Sequence, residues 1–476
     1  VRIVKDSKSD SAIIGHLYKT LGDVDAVWDG LDGIFACVLV DEAAGTFTAA
    51  RDPMGVCPLY WGKGADGSTW FASEMKALQA VCETFDIFPP GHVWRSATGE
   101  VTRWYRPAWL EPGAPLPTAP ASLPAIHDAL VSAVVKRLMS DAPLGVLLSG
   151  GLDSSLVAAI AARHLKEARN AFDVDHPLHT FSIGIAGSPD LKAAAVVAAH
   201  LGTEHHEITF TVQDGLDALP DLIYHIESFE QVRAAVPMYL LSRAIKARGF
   251  KVVLSGEGAD EIFGGYLYFH KAPSPAALHA ETVRKVTRLH QWDVLRANKA
   301  PFAFGLEPRV PFLDRGFLDA TMTIDPSSKM IDMADKPDGV HARMEKHVLR
   351  AAFAGGDYLP ESVLWRQKEQ FSDGVGYDWV DGLKAYAERV VTAEEWGARA
   401  ARFPVATPVN KEYYLLRSLF EASFPSPCAL ATVPQGLSIA CSTPEAVSWD
   451  PSWAGAHEIS GRAMAGVHEA ADGFAH

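Results

Sequence analysis

Between Gly145 and Ala162 the chain reads Gly-Val-Leu-Leu-Ser-Gly-Gly-Leu-Asp-Ser-Ser-Leu-Val-Ala-Ala-Ile-Ala-Ala. The apolar run before Ser149 is too short for a helix and reads as a buried strand. The Ala-rich run after it reads as a helix. The turn between them holds two glycines, Gly150 and Gly151, and the hydroxyls of Ser149, Ser154 and Ser155. Glycine lets backbone approach a ligand closely, and the N–H groups of a first helical turn face an anion. Asp153 is the odd residue, because a carboxylate repels phosphate unless a divalent cation lies between them. The stretch therefore predicts a Mg2+-bound phosphate. It is not a Walker loop, whose Gly-Lys-Ser/Thr ending is absent. The plainer alternative is a tight turn with Ser and Asp capping the helix.

The full run resembles the pyrophosphate-binding loop of the ATP pyrophosphatase superfamily. Those enzymes cleave ATP to AMP and pyrophosphate and activate a carboxylate or carbonyl as an adenylate. The surrounding pattern agrees with an α/β fold. Strands are expected at 145–148, 179–185, 205–210 and 250–254, and helices at 154–168, 190–201, 213–227 and 236–248. Such alternation means a mostly parallel sheet covered by helices, with ligands beyond the carboxyl ends of the strands. A second strand-end loop is Ser255-Gly256-Glu257-Gly258-Ala259-Asp260-Glu261. Its three carboxylates within five residues repel one another without a cation or a shared proton. Asp153 and Asp260, brought together by the sheet, are the expected metal pair. His205 and His206 are neighbours in a strand, point to opposite faces and cannot chelate one ion, so they read as structural. Asp190, in Ser188-Pro189-Asp190, is the expected cap of the helix that follows.

The first hundred residues are β-rich. Asp10 to Leu21 has helical spacing, Gly33–Val40 and Thr46–Ala50 read as a hairpin, and Thr69–Ala72 as a further strand. Pro107–Pro124, rich in Pro and Ala, reads as a linker. The stretches Asp32–Ala36, Arg51–Tyr60 and Ala72–Leu78 look like the glutaminase domain of asparagine synthetases. That resemblance implies an N-terminal-nucleophile sandwich of two sheets between helices. The nucleophile is then a Cys at the mature N-terminus, whose free α-amine serves as the base. Here the first residue is Val1, and Cys37 and Cys57 are internal and read as structural. Asp10 matches the family residue that holds the amino group of glutamine, or is a helix N-cap. The chain also lacks an initiator Met, as a fragment or processed product does. As given, it is expected to use ammonia rather than glutamine and to contain an incomplete glutaminase domain.

The second strand-end loop resembles the asparagine synthetase family closely. The resemblance implies that Glu257 is needed to form a β-aspartyl adenylate and that Ser255 and Gly256 contact the nucleotide. Adenine contacts map to Leu147 and Ile183. The segments Glu307–Asp314, Met344–Arg350 and Trp365–Gly376 are family-like. The family lysine beside the phosphates maps to Lys368, where a positive charge neutralises what develops during transfer. One departure is the segment 228–233, which lacks the family's Thr-Thr pair. Arg233 is its tentative contact to pyrophosphate or substrate.

The domains expected are a glutamine amidotransferase domain at 1–106, the linker 107–124, an ATP-pyrophosphatase domain at 125–428 and a tail at 429–476. The reading is an ATP-dependent carbon–nitrogen ligase that makes asparagine from aspartate, Mg-ATP and ammonia, glutamine-derived in the full-length family. Alternatives are a β-lactam-forming synthetase and a non-catalytic nucleotide-binding pseudo-synthetase. A net charge of −15 argues against nucleic acid as a partner. The five cysteines show no metal-ligand spacing, and their odd number fits a reducing, cytoplasmic setting. No apolar run is long enough for a bilayer, and a homodimer is the candidate assembly.

Overall fold

The computed structural model describes residues 9–172, 177–464 and 467; the polar start, Val1–Lys8, lies outside them. The chain forms two compact units. The first ends at Ala114 and takes in Pro427–Thr432; the second runs from Pro115 to Ser426 and resumes at Val433. No helix of the described residues is long and apolar enough to cross a membrane.

In the first unit the expected hairpin forms. Ala36–Asp41 pairs antiparallel with Thr46–Arg51 around a turn where Gly45 adopts φ +65°. The strand starts at Ala36 rather than Gly33. His92–Arg95 and Val101–Arg103 complete a four-stranded antiparallel sheet. Tyr60–Lys63 lies between Thr69–Ala72 and Thr84–Ile87 in a second, three-stranded one. The alternation of strand side chains sorts the core. Phe47, Ala49 and Trp94 pack on Trp61 and Phe71 of the second sheet. Ala50 and Val93 face the other way, toward Ile14 and Leu17 of the helix Ala12–Leu21 and the buried Trp28.

The Arg51–Tyr60 motif is a buried polar turn. Arg51 donates to the carbonyls of Gly55, Cys57 and Phe88 at 2.7–2.8 Å, and Asp52 accepts from the amides of Met54, Val56 and Cys57. Burial pushes the Cys37 thiol up to about 12 and the Cys57 thiol up to about 11. Neither is a thiolate at neutral pH, as a nucleophile must be. The Pro-rich linker is partly structured: a turn at Ala108–Leu110 buries Trp109, and the next helix already starts at Leu123 behind the Ser122 cap.

The second unit is built on five parallel strands: β1 (Leu144–Leu147), β2 (His179–Gly184), β3 (Glu204–Thr209), β4 (Val252–Leu254) and β5 (Glu307–Arg309). Their order across the sheet is β3-β2-β1-β4-β5. β5 was not expected, because three residues with a central Pro308 carry almost no strand signal; proline is tolerated because β5 is an edge. The connecting helices include α1 (Leu152–Phe172), α2 (Pro189–Leu201), α3 (Val212–Ile226) and α4 (Val232–Ala247). The order reverses between β1 and β4, and in an open parallel sheet that reversal opens the ligand crevice.

Within the expected tail, 429–476, the residues from Val433 to Met464 belong to this unit's core. They fold as short 3-10 turns, which leave no long periodicity to read. Ile439, Ala440, Ala446, Trp453 and Met464 bury themselves against Tyr266–Phe269 and Leu278.

Candidate active site

β1 ends at Leu147 and β4 at Leu254, and the two strands are hydrogen-bonded neighbours. The loops that leave them therefore lie side by side. Gly256 makes the contact possible, since a Cβ there would sit 2.6 Å from the Ser154 amide and 2.9 Å from the Asp153 carbonyl carbon. Gly150 has φ +75°. A side chain there would run into the backbone of Ala193 and Ala194 in α2, so it serves helix packing. A Cβ at Gly151 would sit 3.3 Å from the Ser149 hydroxyl. Ser149 and Ser154 join hydroxyls at 3.0 Å, and the Ser154 hydroxyl accepts the Ser149 amide at 3.2 Å. Ser155 is fully buried, and its hydroxyl has no hydrogen-bond partner among the described residues.

A cleft opens between these loops. Leu147, Ile183, Ser255, Gly256, Glu257, Asp260 and Lys368 all line it. The Asp153 and Asp260 carboxylates share one cation, the Lys346 ammonium, at 2.6 and 2.7 Å. Lys368 reaches the other oxygen of Asp260 at 2.8 Å. Burial works to raise Asp260, but Lys346 and Lys368 outweigh it and hold this carboxyl far below its usual range. Asp153 is raised by burial, with Lys346 opposing and the Asp260 charge reinforcing. Gly265 leaves the space that the Lys346 stem and Asp260 fill.

Glu345, fully buried, sets the position of Lys368. It accepts the Lys368 amide at 2.9 Å and the Arg350 guanidinium at 3.1 Å, with His270 at 3.3 Å. Glu257 meets Arg296 at 3.2 Å, and Arg296 donates to Asp293 at 2.8 Å. Burial raises the Glu257 carboxyl to about 7 against the pull of Arg296. Arg296 Nε and Nη1 and Asp293 Oδ2 are buried and have no hydrogen-bond partner among the described residues. Asp190 is not the helix cap; it sits inside the first turn of α2, 3.4 Å from Arg366, and burial takes it up to about 7. Sequence reasoning missed Lys346, Arg296 and Asp293. Lys346 lay in a motif already singled out, and two buried carboxylates demanded a cation, but no spacing said which lysine supplies it.

Arg233 lines the cleft, but its guanidinium is committed to two carboxylates of the chain. Its guanidinium donates to both oxygens of Glu412 at 2.8 and 2.7 Å and to Glu458 at 2.8 Å, and its carbonyl accepts from Trp379 Nε1. Removing one partner of a buried pair leaves the other charge desolvated. Glu412→Ala is therefore expected to destabilise the protein by about 3 kcal/mol, the low end of that effect because Glu458 remains. Chemical denaturation checks this, and a loss under about 1 kcal/mol shows the pair is no anchor. Asp10 is exposed; it accepts the Ser11 amide at 2.7 Å, and Ser11 rather than Asp10 precedes the helix.

The asparagine synthase domain family matches residues 125–277 and 272–438, and the glutamine amidotransferase domain family matches residues 2–80. An asparagine synthetase [glutamine-hydrolyzing] from Asparagus officinalis is 54% identical over 97% of this chain and 78% of its own length. One from Arabidopsis thaliana is 54% identical over 97% of this chain and 79% of its own. Among solved structures, NAD+ synthetase from Burkholderia pseudomallei covers 50% of this chain and 90% of that one at 17% identity, with a TM-score of 0.23 too low to argue from. With half the sequence shared over nearly its whole length, and both strand-end loops in one cleft, the chain belongs to the asparagine synthetase family.

Proposed function

We propose that the protein makes asparagine from aspartate, ATP and ammonia through a β-aspartyl-AMP intermediate. The observation that carries this is the convergence of Glu257, Lys368 and the Asp153/Asp260 pair on one cleft at the β1/β4 reversal. Relatives at 53–54% identity all bear the name asparagine synthetase, which favours this over a β-lactam-forming or non-catalytic reading. The first unit is read as the family's glutaminase sandwich. Its two facing antiparallel sheets and the match over residues 2–80 support that.

In this reading adenine packs on Leu147 and Ile183, and the phosphates lie along Ser149–Ser154. An oxygen of the aspartate β-carboxylate attacks the α-phosphorus. The bond to the bridging oxygen breaks, and pyrophosphate leaves with the electron pair. Lys368 faces the charge that collects there, in a partly dehydrated site where a fixed charge acts strongly. The residues fit Mg2+: Asp153 and Asp260 are hard oxygen donors, Asp153 Oδ1 is buried without a partner, and a lysine already bridges the two. Bound there, Mg2+ supplies charge neutralisation for pyrophosphate. Arg296 and Asp293 offer an open cation and an open carboxylate oxygen side by side, matched to the α-carboxylate and α-ammonium of aspartate. Ammonia then attacks the β-carbonyl carbon, the bond to AMP breaks, and Glu257, with a pKa near neutrality, accepts the proton that nitrogen sheds.

Asp153→Asn and Asp260→Asn are each expected to raise the Mg2+ concentration for half-maximal pyrophosphate release about tenfold or more. Pyrophosphate release with ammonium, run with and without aspartate, reads both the activity and its metal dependence. Release that ignores aspartate would sink the proposed reaction. An unchanged Mg2+ requirement in either variant would remove that residue from the metal site only.

A further inference from the structure

The other end of the same sheet carries a second set of metal-ligating side chains. β2 and β3 run parallel in a register that sets Glu204 opposite His179 and His206 opposite Phe181. Side chains at 179, 204 and 206 thus share one face. His205 points to the other face, where Thr180 and Ser182 take up its two ring nitrogens at 2.9 and 3.0 Å. The expectation that His205 and His206 cannot share an ion holds, but His206 finds its companion on the neighbouring strand. His179 Nδ1 lies 3.0 Å from His206 Nε2, and Glu204 Oε1 lies 3.7 Å from each. Bonds of 2.0–2.1 Å in a tetrahedral zinc site put neighbouring donor atoms about 3.3 Å apart. The triangle of 3.0, 3.7 and 3.7 Å is one face of such a tetrahedron within a few tenths of an ångström.

We infer that His179, Glu204 and His206 form a binding site for a borderline divalent ion, best fitted by Zn2+, with the fourth position left to water. Two imidazoles and one carboxylate favour zinc over Mg2+ or Ca2+, which take oxygen donors. His179 opens β2 and Ile183 is four residues further on, so this site is about 13 Å along the strand from the cleft. It bridges β2 to β3, the edge strand on that side of the sheet. An ion there ties down an edge whose outer backbone groups have no further strand.

The test is zinc binding by the full chain after stripping with a chelator, using Zn2+ alone against a chromophoric competitor. Co2+ absorption then reports coordination number. Wild type is expected to bind one Zn2+ with a four- or five-coordinate Co2+ spectrum and a raised melting temperature. His179→Gln and His206→Gln should each weaken binding tenfold or more. Glu204→Gln, at a half-exposed position that cannot threaten the fold, should weaken it several-fold. Asparagine formation with Mg2+ stays unchanged in all three. Zinc affinity that is the same in wild type, Glu204→Gln and either histidine variant overturns the site, as does an octahedral Co2+ spectrum.

Discussion

Glu257→Gln is expected to lower aspartate-dependent AMP formation by about a thousandfold, while ATP affinity changes less than about threefold. Glutamine keeps the shape and one acceptor oxygen, so the loop and its packing on Asp153–Ser154 through Gly256 survive. What is lost is the charge opposite Arg296 and a carboxylate with a pKa near 7 that feels both Arg296 and Lys368. The same change should alter stability with pH in a defined direction. Burial raises Glu257 from 4.5 to about 7. The folded protein then holds a proton between those values that the unfolded chain releases. This proton favours folding below pH 4.5, and the benefit is lost as pH rises through 7. Glu257→Gln removes a buried charge, so the variant should be more stable than the parent at pH 8. The gain is about 1–2 kcal/mol, trimmed by the partial exposure of this side chain, and it shrinks toward pH 5. AMP production within tenfold of the parent would refute the catalytic role, and a pH-independent stability difference would refute the raised pKa.

Lys368→Met is expected to cut the rate of pyrophosphate release by about 10²–10³ with little change in the KM for ATP. Two lysines serve the Asp153/Asp260 pair, but they are not equivalent. Lys346 is fully buried and bridges both carboxylates, whereas Lys368 touches one and keeps a face toward the cleft. Losing Lys368 leaves Asp260 paired with Lys346, so the fold should persist. Losing Lys346 leaves Asp260 with Lys368 alone and takes from Asp153 the ammonium it pairs with, so Lys346→Met should show first as a stability loss. Lys368→Arg should not restore the rate, because a planar guanidinium cannot replace a point charge held by the Glu345 contact to its backbone. If Lys368→Met keeps kcat within threefold, or loses only ATP affinity, Lys368 binds the nucleotide without assisting its cleavage.

Much of this was legible in one dimension. Alternating strands and helices, Ser-Gly-Gly-Leu-Asp-Ser-Ser after one strand and Ser-Gly-Glu-Gly-Ala-Asp-Glu after another already specified a parallel sheet and two strand-end loops. Local sequence determines these because they are set within a few residues: a short apolar run, a turn that needs glycine, a helix start. The segments that gave no periodic signal were misread for the same reason. Residues 433–464 fold as short turns, and β5 is three residues around a proline, so neither repeats often enough to be seen.

Tertiary structure decided the rest, because it depends on which strands become neighbours. The order β3-β2-β1-β4-β5 places residues 153 and 260, a hundred positions apart, within reach of one lysine from a third segment. The same order packs Gly150 against α2 and commits Arg233 to Glu412 and Glu458. It also sets His179 beside His206. Burial, which shifts Glu257 to neutrality, is likewise a property of the assembled core. The residue types carry the chemistry, but the distances and the dielectric around them exist only once the sheet has closed.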